Sequence, residues 1–269
     1  MMKSLKSFVL TGSALVVLGQ GAAEAQQLAP IRIAVDLGVA FRSSYDYGHE
    51  RLHEGVVEDP TDTWSYFETY PCRLQLVHLG VEPEFELCRI VSAQAGVRFT
   101  YANAKLGKRF DDYTLYWRVA EKDEQTYLVR LCKMRQESYY VGIPVSLRLV
   151  PCGLDETSVF IRVGASFNWR TGCRNMAYAK HQSMEMAEKD IESQMGKPDN
   201  FQIPLWASVG VQFGHSHNAC LELMLPYTLR HAQPSSIITY HGTAVGLQFS
   251  YRIPTYFGGQ GYENSRLKE

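Results

Sequence analysis

The 269-residue chain carries 27 Lys and Arg against 28 Asp and Glu, a formal net charge of −1. That balance leaves no bulk field to draw nucleic acid or to build a basic membrane-surface patch. The length suits one domain. A mean hydropathy of −0.21 would indicate a soluble protein, except that a transmembrane β-barrel shows lipid only every second residue and keeps its average low.

Lys3 and Lys6 precede an apolar run from Phe8 to Gly19, which ends in the small-residue pattern Ala23-Glu24-Ala25. This reads as a secretory signal peptide over 1–25, cut near Ala25–Gln26. No later segment approaches the roughly 20 apolar residues of a membrane helix.

From there on the signal is period-2 alternation. Ile31, Ile33, Val35, Leu37, Val39 and Phe41 alternate with Arg32, Ala34, Asp36, Gly38, Ala40 and Arg42. Similar runs predict eight strands at 31–43, 73–87, 92–104, 137–150, 158–171, 201–214, 218–230 and 239–252. Each can cross a tilted bilayer, which takes about 9–11 residues. Connections at 88–91, 151–157 and 214–217 are short, those at 44–72, 105–136 and 172–200 are long, and 231–238 is intermediate. Short periplasmic turns alternating with long extracellular loops predict an eight-stranded up-and-down outer-membrane barrel over 26–254, with both mature termini periplasmic and a polar tail over 255–269. In the second loop, Tyr113, Leu115 and Trp117, then Tyr127 and Val129, predict a projecting hairpin. In the third, Ser183 as a cap and Gly196 and Pro198 as stops predict a helix over 184–195.

A soluble lipocalin-like barrel would alternate too, with its apolar face inside. The placement of side chains argues for lipid outside. On the apolar face, Phe41, Tyr101, Tyr139, Trp169, Phe201 and Tyr227 fall at outer strand ends, and Phe85, Phe213, Phe249 and Tyr251 at inner ends. Two aromatic girdles around an aliphatic band suit the membrane interfaces. The polar face carries Asp36, Glu82, Glu84, Glu86 and Glu222 beside Arg32, Arg42, Arg98, Arg148, Arg162, Arg170 and Arg252, and the assigned strands contain no Lys. Arg serves where planar, poorly hydrated pairing is needed. The expectation is a lumen filled by ion pairs, with Asp36, Glu82, Glu84 and Glu222 against Arg98, Arg148, Arg162 and Arg252. Glycines at 38, 80, 96, 142, 164, 210 and 246 would make room, and eight strands enclose just enough space for side chains.

Six cysteines are exported with the chain. Cys72, Cys132 and Cys173 fall at the outer end, and Cys88, Cys152 and Cys220 at the inner end. Any disulfide should stay within one triplet; Cys132–Cys173 is favoured because the two flank neighbouring strands.

Three segments carry a resemblance. Residues 139–147 (YYVGIPVSL), 201–211 (FQIPLWASVGV) and 245–252 (VGLQFSYR) resemble strands of the PorT-like outer-membrane β-barrel family. The resemblance implies an outer-membrane barrel and an association with secretion machinery. It also implies a chain ending on the closing strand's aromatic, whereas here Thr255 to Glu269 follow.

Candidate chemistry is thin. His49-Glu50-Arg51-Leu52-His53 satisfies H-E-x-x-H, but the motif needs a helix to place both imidazoles on one face, and Gly48 and Gly55 interrupt this loop. Glu68 or His78 would have to supply a third ligand, so the match is read as chance, with no metal and no cofactor expected. His215 and His217 sit in a tight turn. His231 and His241 near Ser235 and Ser236 offer a His-activated serine for acyl chemistry, with no third member. The favoured expectation is a non-enzymatic barrel contacting outer-membrane lipid, whose loops or tail bind secretion or envelope proteins. The alternative is a lipid A acyl hydrolase or acyltransferase.

Overall fold

The computed structural model describes residues 31–47, 56–57, 69–88, 90–107, 115–120, 126–153, 157–179, 185–213, 218–228 and 244–255. The expected signal peptide, the tail beyond Thr255 and the H-E-x-x-H motif lie outside them, as do His215, His217, His231, Ser235, Ser236 and His241.

The strands are β1 (Ile31–Tyr47), β2 (Val56–Val57), β3 (Thr69–Cys88), β4 (Val91–Ala95), β5 (Val97–Gly107), β6 (Leu115–Ala120), β7 (Thr126–Gly153), β8 (Thr157–Ala179), β9 (Phe201–Gln202), β10 (Pro204–Phe213), β11 (Ala219–Thr228) and β12 (Val245–Thr255). Among the described residues one helix, α1, spans Glu185–Gln194, within the stretch that Ser183, Gly196 and Pro198 delimit. All pairings are antiparallel, and a ring runs β1, β3, β4 with β5, β7, β8, β10, β11 and β12 before returning to β1. The fold is thus an eight-stranded antiparallel barrel. Closure leaves no edge within the ring itself, the condition for spanning a bilayer with strands.

The third ring strand is broken at Gly96, where a Cβ would stand 2.0 Å from the Val81 carbonyl oxygen; only a residue without a side chain allows that approach. Two strands run well past the expected limits. β7 begins at Thr126 rather than 137, and β8 ends at Ala179 rather than 171. The predicted hairpin is β6 against the start of β7, in register Leu115↔Leu131 to Ala120↔Thr126. Because β7 starts early and β5 ends at Gly107 rather than 104, Lys133 and Lys105 lie inside strands, which corrects the expectation that Lys avoids them. Both sit beyond the girdle residues Tyr101 and Tyr139, where a hydrated ammonium is at no disadvantage. The closing strand starts at Val245 instead of 239; residues 229–243 are outside the described set.

Inside and outside exchange character along single strands. On β7, Val141, Val145, Leu147 and Leu149 point outward and exposed, while Ser146 and Arg148 point inward and buried. Beyond Tyr139 the outward positions become Glu137 and Arg135, and the inward position Met134 is 2% exposed. β5 repeats the change, from outward Val97 and Phe99 to outward Lys105, and from inward Arg98 to inward Ala102, Ala104 and Leu106. The barrel therefore has two interiors. One is polar and lies behind the aliphatic band. The other is apolar and lies beyond the girdle, where Leu74, Leu106, Trp117, Leu131, Met134 and Ala177 enclose Ala187, Ile191 and Met195 of α1 and its C-terminal end. Trp117 Nε1 donates to Gln194 Oε1 at 3.1 Å, which satisfies the indole of a fully buried side chain.

The band itself consists of exposed Val, Leu and Ile, including Leu37, Leu79, Val97, Val163, Val209, Leu223 and Leu247. A continuous belt of this kind is incompatible with water in a monomer and matches the outward face of a membrane barrel.

Candidate functional site

The candidate site is the polar lumen. It is built by period-2 geometry alone, since every second residue of each ring strand must enter it. Four acids and four arginines are buried on the inner face: Asp36, Glu82, Glu84 and Glu222, with Arg98, Arg148, Arg162 and Arg252. They form two linked clusters. In the first, Arg98 Nη2 lies 2.6 Å from Glu82 Oε1 and 3.5 Å from Asp36 Oδ2. Arg162 joins the other Glu82 oxygen and reaches Glu222 Oε1 at 3.2 Å. Glu222 also accepts from the Ser208 hydroxyl at 2.8 Å. In the second, Glu84 sits between Arg148 Nη1 at 3.2 Å and Arg252 Nη1 at 3.4 Å, and accepts from Ser92 at 2.6 Å. Both of these guanidiniums also donate to Gln212 Oε1.

Guanidinium planes are used as well as their charges. Arg148 lies 3.9 Å from the Phe160 ring centroid and Arg98 4.8 Å from that of Trp206. A planar guanidinium turns its donor edge to carboxylates and its weakly hydrated face to a ring, which is a physical reason for Arg here. The glycines receive these rings. A Cβ on Gly210 would stand 2.4 Å from Phe160 Cζ, one on Gly164 2.5 Å from Trp206 Cζ2, and one on Gly38 2.2 Å from His78 Cε1.

Three sequence expectations need correction. Glu86 does not enter the lumen; it is exposed at the rim and pairs with Arg32 at 3.1 Å. Arg170 does not meet a luminal acid, but donates to the Pro198 carbonyl and Asn200 Oδ1, bracing the segment after α1. Cys132 and Cys173 are free thiols, not a disulfide. Cys173 pairs in register with Ser138, so Cys132 stands about six positions farther along β7, roughly 20 Å away at the rise of a strand and far beyond the Cα separation a disulfide spans.

His78, named as a third zinc ligand, is buried in the lumen with its Nε2 2.9 Å from Gln248 Oε1. No group of three His, Cys, Asp or Glu among the described residues could hold a metal. All ten girdle aromatics face outward. Phe41, Phe85, Trp169, Phe213, Tyr227, Phe249 and Tyr251 are exposed. Tyr101 and Tyr139 cover one another at 5.3 Å between centroids, and Trp169 and Phe201 at 5.2 Å. What sequence reading missed is the lumen's neutral lining, chiefly Gln212, Gln248, Phe160 and Tyr140. Strand phase places all four inside, but nothing in their types singles them out.

A mouth remains at the end opposite α1. A cavity of about 230 Å³ opens between Arg32, Glu86, Cys88, Ile90 and Val150 and ends on Glu84, Arg148, Gln212 and Arg252. Its floor is the second ion-pair cluster, so it is a vestibule.

No protein-family model matches the chain, and no curated protein matches it. Among solved structures, the attachment invasion locus protein Ail of Yersinia pestis aligns at 12% identity and TM-score 0.28, over 82% of this chain and 98% of that one. The translocator domain of the autotransporter NalP from Neisseria meningitidis aligns at 8% identity and TM-score 0.28, over 93% and 98%. An outer-membrane channel of Pseudomonas putida F1 aligns at 8% identity and TM-score 0.26, over 87% and 98%. Identities and scores this low carry no argument, and the assignment as a lipid-facing eight-stranded barrel rests on the ring of strands, the apolar belt and the paired lumen.

Proposed function

We propose that the protein resides in the outer membrane, does not conduct, and binds a protein partner of the secretion or envelope-assembly machinery through its folded extension, without catalysing a reaction. One observation carries the reading: the interior is occupied at two levels. Paired charges fill it behind the aliphatic belt, and α1 with its apolar cluster fills it beyond the girdle. A barrel that spends its volume on a packed extension has a rigid platform to present, and Met186 on α1, 90% exposed, is an apolar contact point on it. The likeness of segments 139–147, 201–211 and 245–252 to PorT-like strands supports a secretion or envelope role.

The test is a photo-crosslinking amino acid at position 186 in cells, followed by affinity capture, beside planar-bilayer recording of the purified barrel. The expected result is one dominant crosslinked protein and no stepwise conductance. Steady channels, or no crosslink together with an altered lipid A profile in a deletion strain, would overturn it.

A further inference from the structure

The outward face just beyond the girdle carries an arrangement that neither the lumen nor the extension explains. Cross-strand register sets Arg73 of β3 directly opposite Lys105 of β5, and Lys105 directly opposite Arg135 of β7. The inward neighbours Leu74, Ala104, Leu106 and Met134 are all buried, so these three cations share the outer surface. Two more stand beside them: Lys133, one row farther out with its ammonium 4.2 Å from the Tyr178 ring centroid, and Arg174, opposite Glu137.

Directly opposed like charges destabilise a sheet. Among the described residues one acid lies within the cluster, Glu137, and it is already engaged by Arg135 and by the Tyr101 hydroxyl at 2.8 Å. Among the described residues Arg73, Lys105 and Arg174 have no acidic partner. Among the described residues the row thus carries more positive than negative charge, which suits an anionic ligand.

Its height relates it to the membrane. The row Arg73–Lys105–Arg135 is two rows beyond Val77–Tyr101–Tyr139, which at the rise of a strand is roughly 13 Å along the chain and about 10 Å in height for a tilted strand. The girdle marks the edge of the hydrocarbon, and the headgroup layer occupies the next several ångströms. Long Lys and Arg stems also reach toward the bilayer while their heads stay wet. The geometry points to a binding site for the phosphate groups of an anionic glycolipid of the lipid A type, seated on β3, β5 and β7 with its acyl chains against Val77, Leu79, Phe99 and Val141. Arg135 is the organising residue, because Asn103 Oδ1 at 3.0 Å and the Tyr101 hydroxyl at 3.3 Å fix its guanidinium. This rests on the outer-membrane reading but not on any protein partner.

The test uses the purified full-length mature protein, folded in detergent, with native mass spectrometry as the readout. Wild type should retain bisphosphorylated lipid A at least tenfold more than its dephosphorylated form, and inorganic phosphate at equal concentration should not displace it. The variant Lys105→Glu/Arg135→Gln should lose that preference tenfold or more, while still giving the folded, heat-modifiable band on a gel. Arg32→Gln, at the opposite rim, should retain it. Equal retention of both lipids by wild type, unchanged retention by the double variant, or displacement by inorganic phosphate would each overturn the site. If the double variant does not fold, Arg73→Gln alone replaces it, with a several-fold loss expected and unchanged retention refuting. Failure of the partner-capture experiment leaves this measurement readable, since no partner is present in it.

Discussion

Glu82→Gln isolates what the luminal network contributes. The side chain is fully buried, and each of its oxygens serves a different guanidinium, Arg98 and Arg162. The amide keeps shape and volume and removes one charge. Afterwards Arg98 retains Asp36 at 3.5 Å and Arg162 retains Glu222 at 3.2 Å, and the lumen holds four cations against three anions. At an effective dielectric of about 20, each lost contact is worth roughly 4 kcal/mol. Relief of the Asp36–Glu82 repulsion and of one buried carboxylate's desolvation returns several of these, so the net loss is about 3 kcal/mol, the low end for breaking a buried pair. The control is Glu86→Gln, whose pair with Arg32 is half-exposed at the rim and should cost under about 1 kcal/mol. Urea unfolding of the barrel in lipid vesicles, followed by Trp fluorescence and by heat-modifiable mobility, measures both. Equal midpoints for the two variants would refute the claim that the lumen is held by desolvated charge pairs. So would a Glu82→Gln barrel that unfolds like wild type.

Gly210→Ala should lower the unfolding midpoint by about 1–3 kcal/mol as an overpacking change, because the new methyl would meet Phe160 Cζ at 2.4 Å; a neutral result would mean that the ring can move aside. Glu222→Ala should lower the temperature at which the heat-modifiable band unfolds, because Arg162 loses a partner 3.2 Å away; an unchanged transition would argue against a structural pair. A membrane-impermeant maleimide should label exposed Cys132 on intact cells and exposed Cys88 only after permeabilisation, and the reverse order would invert the topology.

The ring of strands was legible because period 2 survives any packing detail. The four acids and four arginines of the lumen were legible for the same reason: a charge inside a lipid-facing alternation has only one place to go. Glu86 and Arg170 were misplaced because phase says which face a residue takes, not how deep it lies. Glu86 is beyond the inner rim, and Arg170 stands where β8 shifts register against β7. The disulfide failed on the same point. Cys132 and Cys173 flank adjacent strands, but their distance depends on how far β7 runs past the membrane, which the loop composition did not disclose. The stacking of Arg148 on Phe160, across the adjacent strands β7 and β8, and of Arg98 on Trp206, from β5 to β10 three ring positions away, was also beyond sequence reading, since it depends on how far each side chain reaches within the lumen.

The exchange of faces at the girdle supplies the last prediction, because it assigns opposite costs to one substitution at two heights on adjacent strands. Leu147 of β7 is outward and exposed within the aliphatic belt. An arginine there meets hydrocarbon and should cost about 2–4 kcal/mol if the position lies near mid-bilayer, falling toward zero at the interfaces. Leu106 of β5 is inward and fully buried in the cluster around Trp117 and Ile191. An arginine there buries an unpaired charge and should unpack α1, whereas the membrane part of the barrel keeps its own lumen and stays folded. The two variants should therefore separate in one experiment. Leu147→Arg should lower the yield of the heat-modifiable barrel on insertion into vesicles. Leu106→Arg should insert normally and expose the segment around α1 to trypsin at Lys189. If Leu106→Arg prevented insertion as well, the polar and apolar interiors would be one cooperative core, and the separation of lumen from extension would fail. If Leu147→Arg inserted as wild type does, the exposed belt would not be a lipid contact.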